Sequence, residues 1–393
     1  MSQGRIYLDH NATTPMGSAA ADRMRALAQE DFGNPSSLHW AGAGAEAIVA
    51  EARRQVGELV GARGSEVVFT GGGTEADVTA LWSMAMAARR RDPGRLPALA
   101  YLRVEHPAIV EGIGQLEALG LARGVCVEVD GRGQVVEASL REAAAVSDGL
   151  CAMWANNETG ALLDLELVAA VVAEAGIPWH CDAVQAVGKV PIDLARGPAR
   201  QITTLAVAAH KLYGPKGVGA LIVRRGAELV PLLPGGAQEG GRRSGTLNVP
   251  GIAAFGIAAS EAGARLAGDP TGARVGAWRD RLQAAILGRH EGSAVNGEGC
   301  GRLPNTLNVS IMGPGGEWAD GEGLMLSLSA AGIAVSTGAA CSAGSRRPSR
   351  ILSAMGLEPA RCHASLRVSF GHTNDEGDGA RLLDALGRAL AVG

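Results

Sequence analysis

The residues best suited to covalent chemistry stand where apolar runs end. Lys211 follows the run Ile202 to Ala209 and opens the segment KLYGPKG. An amine there is partly desolvated, which lowers its pKa and makes it a usable nucleophile and base, as a Schiff base with an aldehyde cofactor requires. Read alone, the same residue is a surface lysine before a turn. Asp182 ends the run IPWHCDA, where a carboxylate could pair with a pyridinium nitrogen and strengthen the ring as an electron sink; it is equally an ordinary helix N-cap. His106 follows ALAYLRV, and its flat imidazole could stack on an aromatic ring or simply cap a helix. Asn156 and Asn157 precede Glu158, Thr159 and Gly160, giving amide donors suited to a ring hydroxyl or an ordinary turn. Gly71-Gly72-Gly73-Thr74-Glu75 joins a strand pattern to a helix pattern. Its glycines let the backbone approach a ligand, and the helix start offers unpaired N–H groups to a phosphate. No GK[ST] follows, so this is not a nucleotide P-loop. Convergence of these clusters, not any one of them, carries the reading.

The elements that must position them alternate. From about Val67 to Arg225, short apolar runs (VVFT, ALAYLRV, GLCAMWA, IPWHCDA, ITTLAVAA) alternate with amphipathic stretches such as TEADVTALWSMAMAARR and LELVAAVVAEAG. This predicts β-α-β units around a mostly parallel sheet, the α/β class. Ligand sites in open α/β sheets gather beyond the carboxyl ends of the strands, so five separate runs point to one pocket. After about Pro250 come two Ala-rich helical stretches, the run NTLNVSI, a helix around Gly323 to Ala331, the strands IAVS and SLRVSF and a terminal helix, which predict a smaller α+β domain. We expect a large domain over residues 15–255 and a small one from residues 1–14 and 256–393.

Composition narrows the classes. At 393 residues and 47% hydrophobic, the chain exceeds the ~250 to 300 residues at which single cores stop growing. With 36 Lys+Arg against 40 Asp+Glu, there is no general basic field to hold nucleic acid or an anionic membrane surface. The 57 Gly are about twice the usual ~7% share and lie in short scattered clusters, as in an enzyme with functional loops. The six Cys show no CxxC pair, which excludes a disulfide framework and a structural zinc site and fits a reducing cytoplasm. MSQGRIYLDHNATTP lacks a basic flank followed by an apolar run, and no stretch reaches the ~20 apolar residues of a membrane span; a soluble, unexported, metal-free protein is expected.

The segments LDHNATTP, FGNPSSLH, FTGGGTE, EHPAI, ANNETG, HCDAVQAVGKVPIDL, HKLYGPKGVGAL, GRRSGTLNV, STGAACS and SLRVSFG resemble, in the same order, the cysteine desulfurases. These are fold-type I, pyridoxal-phosphate enzymes of the class V aminotransferase group, and the resemblance runs from Tyr7 to about His372. MWANNETG and HCDAVQAVGKVPIDL are most similar to the nitrogen-fixation, NifS-type branch. The resemblance implies that Lys211 bonds pyridoxal 5'-phosphate covalently, that His106 stacks over the ring, that Asp182 pairs with its nitrogen, and that Asn157 and Gln185 address its oxygen side. It further implies that Gly73, Thr74 and His210 hold the phosphate, joined by Thr246 from the other subunit of a homodimer. Arg367, with Asn157, would bind the substrate, the guanidinium taking its carboxylate in a planar fork; a rim ion pair is the alternative for Arg367.

Cys341 is the only cysteine within a loop of small residues, STGAACSAG, whereas Cys126, Cys151 and Cys181 lie in or beside apolar strands as core filler. By the resemblance Cys341 is the catalytic nucleophile, in a loop of the long-loop group. Arg346, Arg347 and Arg350 nearby could favour a thiolate, dock an acidic acceptor, or form a solvated basic loop. Two residues depart from the family pattern: Ala208 stands where a hydroxyl or thiol commonly helps hold phosphate, and His372 where arginine is frequent. The expected activity is conversion of L-cysteine to L-alanine, with sulfur passed as a Cys341 persulfide to an iron–sulfur scaffold, for nitrogenase or general cluster assembly. Selenocysteine lysis, transamination and a non-catalytic scaffold are the alternatives.

Overall fold

The computed structural model describes residues 4–30, 32–337 and 348–392. The strands are β1 (Ile6–Tyr7), β2 (Val67–Thr70), β3 (Ala98–Leu102), β4 (Arg123–Val127), β5 (Gly149–Cys151), β6 (Trp179–Asp182), β7 (Ile202–Ala208), β8 (Gly219–Val223), β9 (Ala294–Val295), β10 (Thr306–Ser310), β11 (Ile333–Ala334) and β12 (Ser365–Ser369). The α-helices are α1 (Ser18–Glu30), α2 (Trp40–Leu59), α3 (Gly73–Arg91), α4 (Pro107–Ala118), α5 (Glu137–Ala145), α6 (Leu165–Ala175), α7 (Val249–Gly268), α8 (Ala273–Arg289), α9 (Gly321–Ala330), α10 (Arg350–Ala354), α11 (Pro359–His363) and α12 (Gly377–Val392).

Seven strands form the central sheet in the order β2-β8-β7-β6-β5-β3-β4. Only β8 runs antiparallel to its neighbours; the other adjacent pairs are parallel. The α/β expectation therefore holds, and β2, β3, β5, β6 and β7 all end on one edge. Their residues are almost wholly buried, as expected of strands covered by helices on both faces.

The second body is the expected α+β unit. Strand β10 pairs antiparallel with β12 and β9, and β1 pairs parallel with β11. Its core joins Ile6 and Leu8 to Leu282, Ile286, Leu307, Val309, Leu366, Val368 and Leu386, so the first residues of the chain close on its last quarter. Helix α7 runs unbroken across the expected division at 255/256, and its Ala259 and Ala262 belong to the core of the large sheet. We therefore propose Gly268 as the end of the large domain.

Helices α1 (Ser18–Glu30) and α2 (Trp40–Leu59) lie in a region to which the sequence alone assigned no elements. Ala45, Val49, Ala52 and Val56 of α2 recur at helical spacing and are buried, and α2 packs on α7 at Gly256. A Cβ on Gly256 would lie 2.7 Å from the Ala52 Cα, a backbone atom that cannot rotate away. Gly256→Ala is therefore expected to lower the unfolding free energy, read as a fall in the urea midpoint, by a net ~1 to 2 kcal/mol, overpacking outweighing alanine's helix propensity. An unchanged midpoint would mean that these helices separate freely.

Candidate active site

Beyond the sheet edge lies a cavity of about 370 Å³, within the ~300 to 1,000 Å³ of small-molecule sites. Gly73, Thr74, His106, Asn157, Asp182, Gln185, His210, Lys211 and Arg367 all line it. Thr246 is exposed and does not line it, and Cys341 lies outside the described residues.

Lys211 ends a short 3-10 turn after β7. Its Nζ donates to the carbonyl oxygens of Asn11 at 2.5 Å and Ala12 at 2.8 Å. Burial, with the nearby Arg367 charge, pushes this amine down to about 8, although Asp182 and Asp9 pull the other way. Two residues on, Tyr213 has φ 70°, a backbone conformation that costs about 1–3 kcal/mol. It is held there by a hydrogen bond from its N–H to Thr14 Oγ1 at 2.8 Å and one from the His372 N–H to its phenol oxygen at 3.0 Å. His372 also meets the Tyr213 ring edge-on at 3.8 Å between centroids, so this departure from the family pattern braces the turn behind Lys211.

Asp182 and His106 each accept a backbone N–H as a cap and also line the cavity. Asp182 Oδ1 accepts the Val184 N–H at 2.9 Å, as a cap does, while its carboxylate lines the cavity. Burial raises its pKa; His106, the Val184 N–H and Lys211 oppose the rise. A protonated ring nitrogen is the partner that keeps such a carboxylate ionised. His106 is the N-cap of α4, its Nδ1 accepting the Ala108 N–H at 3.1 Å, which fixes the plane of the ring that it presents to the cavity. Burial lowers the His106 pKa, with Asp182 opposing.

Behind Asp182, His180 bridges Asp77 at 3.1 Å and Thr204 at 2.9 Å. Burial pushes His180 down to about 3 and Asp77 up, so the imidazole is neutral. Glu105, beside His106, is pushed up to about 8 by burial, and its Oε1 accepts the Met153 N–H at 2.7 Å. Of these groups, Asp77 lines the cavity, and Glu105 Oε2 is buried without a hydrogen-bond partner among the described residues.

At the other end of the cavity, α3 begins with Gly72 as N-cap and has no side-chain cap, so its first N–H groups are left to a ligand. Gly73 has no room for a side chain, because a Cβ would lie 2.8 Å from Val184 Cγ2. Ala208 lines this end beside Thr74 and His210 and contributes no hydrogen bond donor. The segment leading to Thr246 is tied down by Arg243 on Glu75 at 2.7 Å and by Arg53 on Glu239 through two hydrogen bonds.

Arg367 is buried, 7% exposed. Its Nη2 pairs with Asp9 Oδ1 at 2.7 Å and its Nη1 donates to the Asn157 carbonyl at 3.1 Å. Arg367 is thus ion-paired, though in a buried position and not at a rim, and its Nε is buried without a partner among the described residues and suits an incoming carboxylate. Both ends of the stretch 338–347 are anchored near this point. Ser336 exchanges backbone hydrogen bonds with Arg367, Ser349 Oγ donates to Glu158 Oε2 at 2.5 Å, and Arg350 donates to the carbonyls of Arg103 and Glu105.

Sequence reasoning missed Asp9, Asn11, Asp77 and Lys189 as site residues. Asp9, Asn11 and Lys189 lie within quoted motifs, LDHNATTP and HCDAVQAVGKVPIDL, but only their contacts reveal a role. Asp77 lies one helical turn beyond Thr74, and that spacing could have found it.

An amine, a facing carboxylate, a fixed flat ring and an uncapped helix start are the donor set that pyridoxal phosphate needs. The architecture is that of a fold-type I pyridoxal-phosphate enzyme. The aminotransferase class-V family model matches residues 6–382, and the chain belongs to that family; its cofactor is pyridoxal 5'-phosphate. It is 42% identical over 98% of its length to a cysteine desulfurase of Gluconacetobacter diazotrophicus, covering 93% of that protein. It is 40% identical to the cysteine desulfurase NifS of Azotobacter vinelandii, over 94% of this chain and 89% of that one. A solved NifS-like protein superposes with a TM-score of 0.87 at 31% identity, covering 99% of this chain and all of the other.

With its pKa near 8, about a tenth of the Lys211 amine is uncharged at pH 7, against roughly one part in 3,000 for an ordinary lysine. Covalent uptake of pyridoxal phosphate by the apoprotein, followed by visible absorbance, should speed up about tenfold from pH 6 to pH 7 and level off above about pH 8.5. A rate still rising at pH 10 would contradict the lowered pKa.

Proposed function

We propose that this protein is a cysteine desulfurase that converts L-cysteine to L-alanine and passes the sulfur on through Cys341. The observation that carries the reading is one cavity holding the lowered Lys211 amine, the Asp182 carboxylate, the His106 ring and the α3 N-terminus, with Arg367 at its side. Bound there, pyridoxal phosphate supplies an aldehyde that takes up the substrate amine and a ring that accepts electrons from its α-carbon. Gly73, Thr74 and His210 would hold the phosphate, Asp182 the ring nitrogen, and Asn157 and Gln185 the oxygen side.

Arg367 takes the substrate carboxylate, which orients the α-hydrogen toward the freed Lys211 amine, and Lys211 carries that proton. The Cys341 thiolate attacks the substrate sulfur. A sulfur–sulfur bond forms as the carbon–sulfur bond breaks, the carbon keeps the bonding pair, and protonation gives alanine. Two observations support Cys341. Burial raises the thiols of all five described cysteines, so none of them is activated. Cys341 also stands four residues beyond Thr337, a span of at most ~14 Å, and the neighbouring Ser336 is hydrogen-bonded to the backbone of Arg367.

The same reading makes the protein a cytoplasmic homodimer. Exposed Phe32, Leu38 and Trp40 supply an apolar surface for a second subunit, which would bring Thr246 to its partner's phosphate. Among the described residues, no helix is long and apolar enough to cross a membrane. The sulfur acceptor is an iron–sulfur scaffold protein. Cys341→Ala should lower the alanine released from L-cysteine at least tenfold while leaving the bound-cofactor absorbance unchanged. Full alanine yield from that variant would remove Cys341 from the reaction.

A further inference from the structure

Lys189 is a buried lysine whose hydrogen-bond acceptors are uncharged. Its Nζ donates to Gln185 Oε1 at 2.7 Å and to Asn11 Oδ1 at 3.1 Å, both neutral amide oxygens, and no carboxylate pairs with it among the described residues. Burial, with Lys211 and Arg367 nearby, pushes its pKa well below the ordinary lysine range. A buried amine held without an ion pair is destabilising unless its hydrogen bonds matter. What those bonds decide is which way round the Gln185 amide lies.

Gln185 lines the cavity, and its Nε2 donates to the Asn11 carbonyl at 2.9 Å. Reversing the amide would set its oxygen against the Asn11 carbonyl oxygen, a repulsive contact, and its NH2 against the Lys189 amine, which repels it whenever that amine is protonated. In the observed orientation Nε2 has a second proton to offer to the cavity. We propose that Lys189 is a positioning residue that locks the side-chain amide of Gln185 as a hydrogen-bond donor toward the ring oxygen of the cofactor. The inference rests on reading the cavity as a pyridoxal-phosphate site. Lys189 also braces the peptide that receives the Lys211 amine. Asn11 Oδ1 accepts from both Lys189 and Asn305, and the Asn11 carbonyl accepts from both Gln185 and Lys211.

A donor to the ring oxygen withdraws electron density and lowers the pH at which the visible band of the lysine-bound cofactor titrates; loss of the donor raises it. The test is that titration in protein loaded with pyridoxal phosphate, for Lys189→Met, Gln185→Met and the double variant, with Lys189→Leu replacing the first if it does not fold. Each single variant should shift the midpoint upward by about half to one pH unit, the size of one hydrogen bond. The double variant should match either single one, because both remove the same interaction. Lys189→Gln, which keeps an N–H donor at this point, should titrate as the wild type. A Lys189→Met midpoint equal to that of the wild type, or shifts that add in the double variant, would overturn the proposal. A wild-type protein without a visible band would instead overturn the cofactor reading on which it rests.

Discussion

The structure turns on taking the Lys211 amine largely out of water with no carboxylate hydrogen-bonded to it among the described residues. Two backbone carbonyls, those of Asn11 and Ala12, receive the amine, and a carbonyl lowers the cost of burial without fixing the proton as a carboxylate would. For those carbonyls to be present, residues nearly 200 positions away in sequence must be held against the end of β7. The second body does this. Asn11 is gripped by Ser369 of β12 through its N–H and by Thr306 of β10 through its side chain, and Leu8 lies in the second core. The small body therefore completes the environment of the reactive lysine.

His106 caps α4 and presents its ring; Asp182 caps the turn after β6 and presents its carboxylate. A side chain whose orientation is set by a backbone N–H needs no further reorganisation to meet a ligand, and such preorganisation favours electrostatic catalysis. Arg367 follows the same pattern, with two nitrogens spent on Asp9 and Asn157 and Nε left over.

The sheet was legible in the sequence because each of its central strands is a short apolar run ending in a polar or glycine cluster, and a parallel arrangement forces those ends together. Nine of the residues expected at the site, from Gly73 to Arg367, line one cavity, and each stands at such a strand end or within a family motif. Helices α1 and α2 were harder to see, since few of their residues are buried and most of those are small: Ala20 and Leu27 in α1, and Gly42, Ala45, Val49, Ala52, Val56 and Gly57 in α2. The roles of Asp9, Asn11 and Lys189 depend on pairings across the two bodies, or on the direction of an amide, and no local pattern encodes either. The domain end that we propose, Gly268, lies beyond the expected 255 because α7 carries its alanine-rich face past residue 256 without a break.

The claim on which the account stands is that Lys211 alone bonds pyridoxal phosphate. Reduction of the cofactor-loaded protein with borohydride, followed by digestion and peptide mass measurement, tests it directly. The account predicts one phosphopyridoxyl group per chain, on the peptide containing Lys211, with loss of the yellow colour that the protein had before reduction. A protein that stays colourless when supplied with the cofactor, or a label found on Lys189 or Lys216 instead, would contradict it.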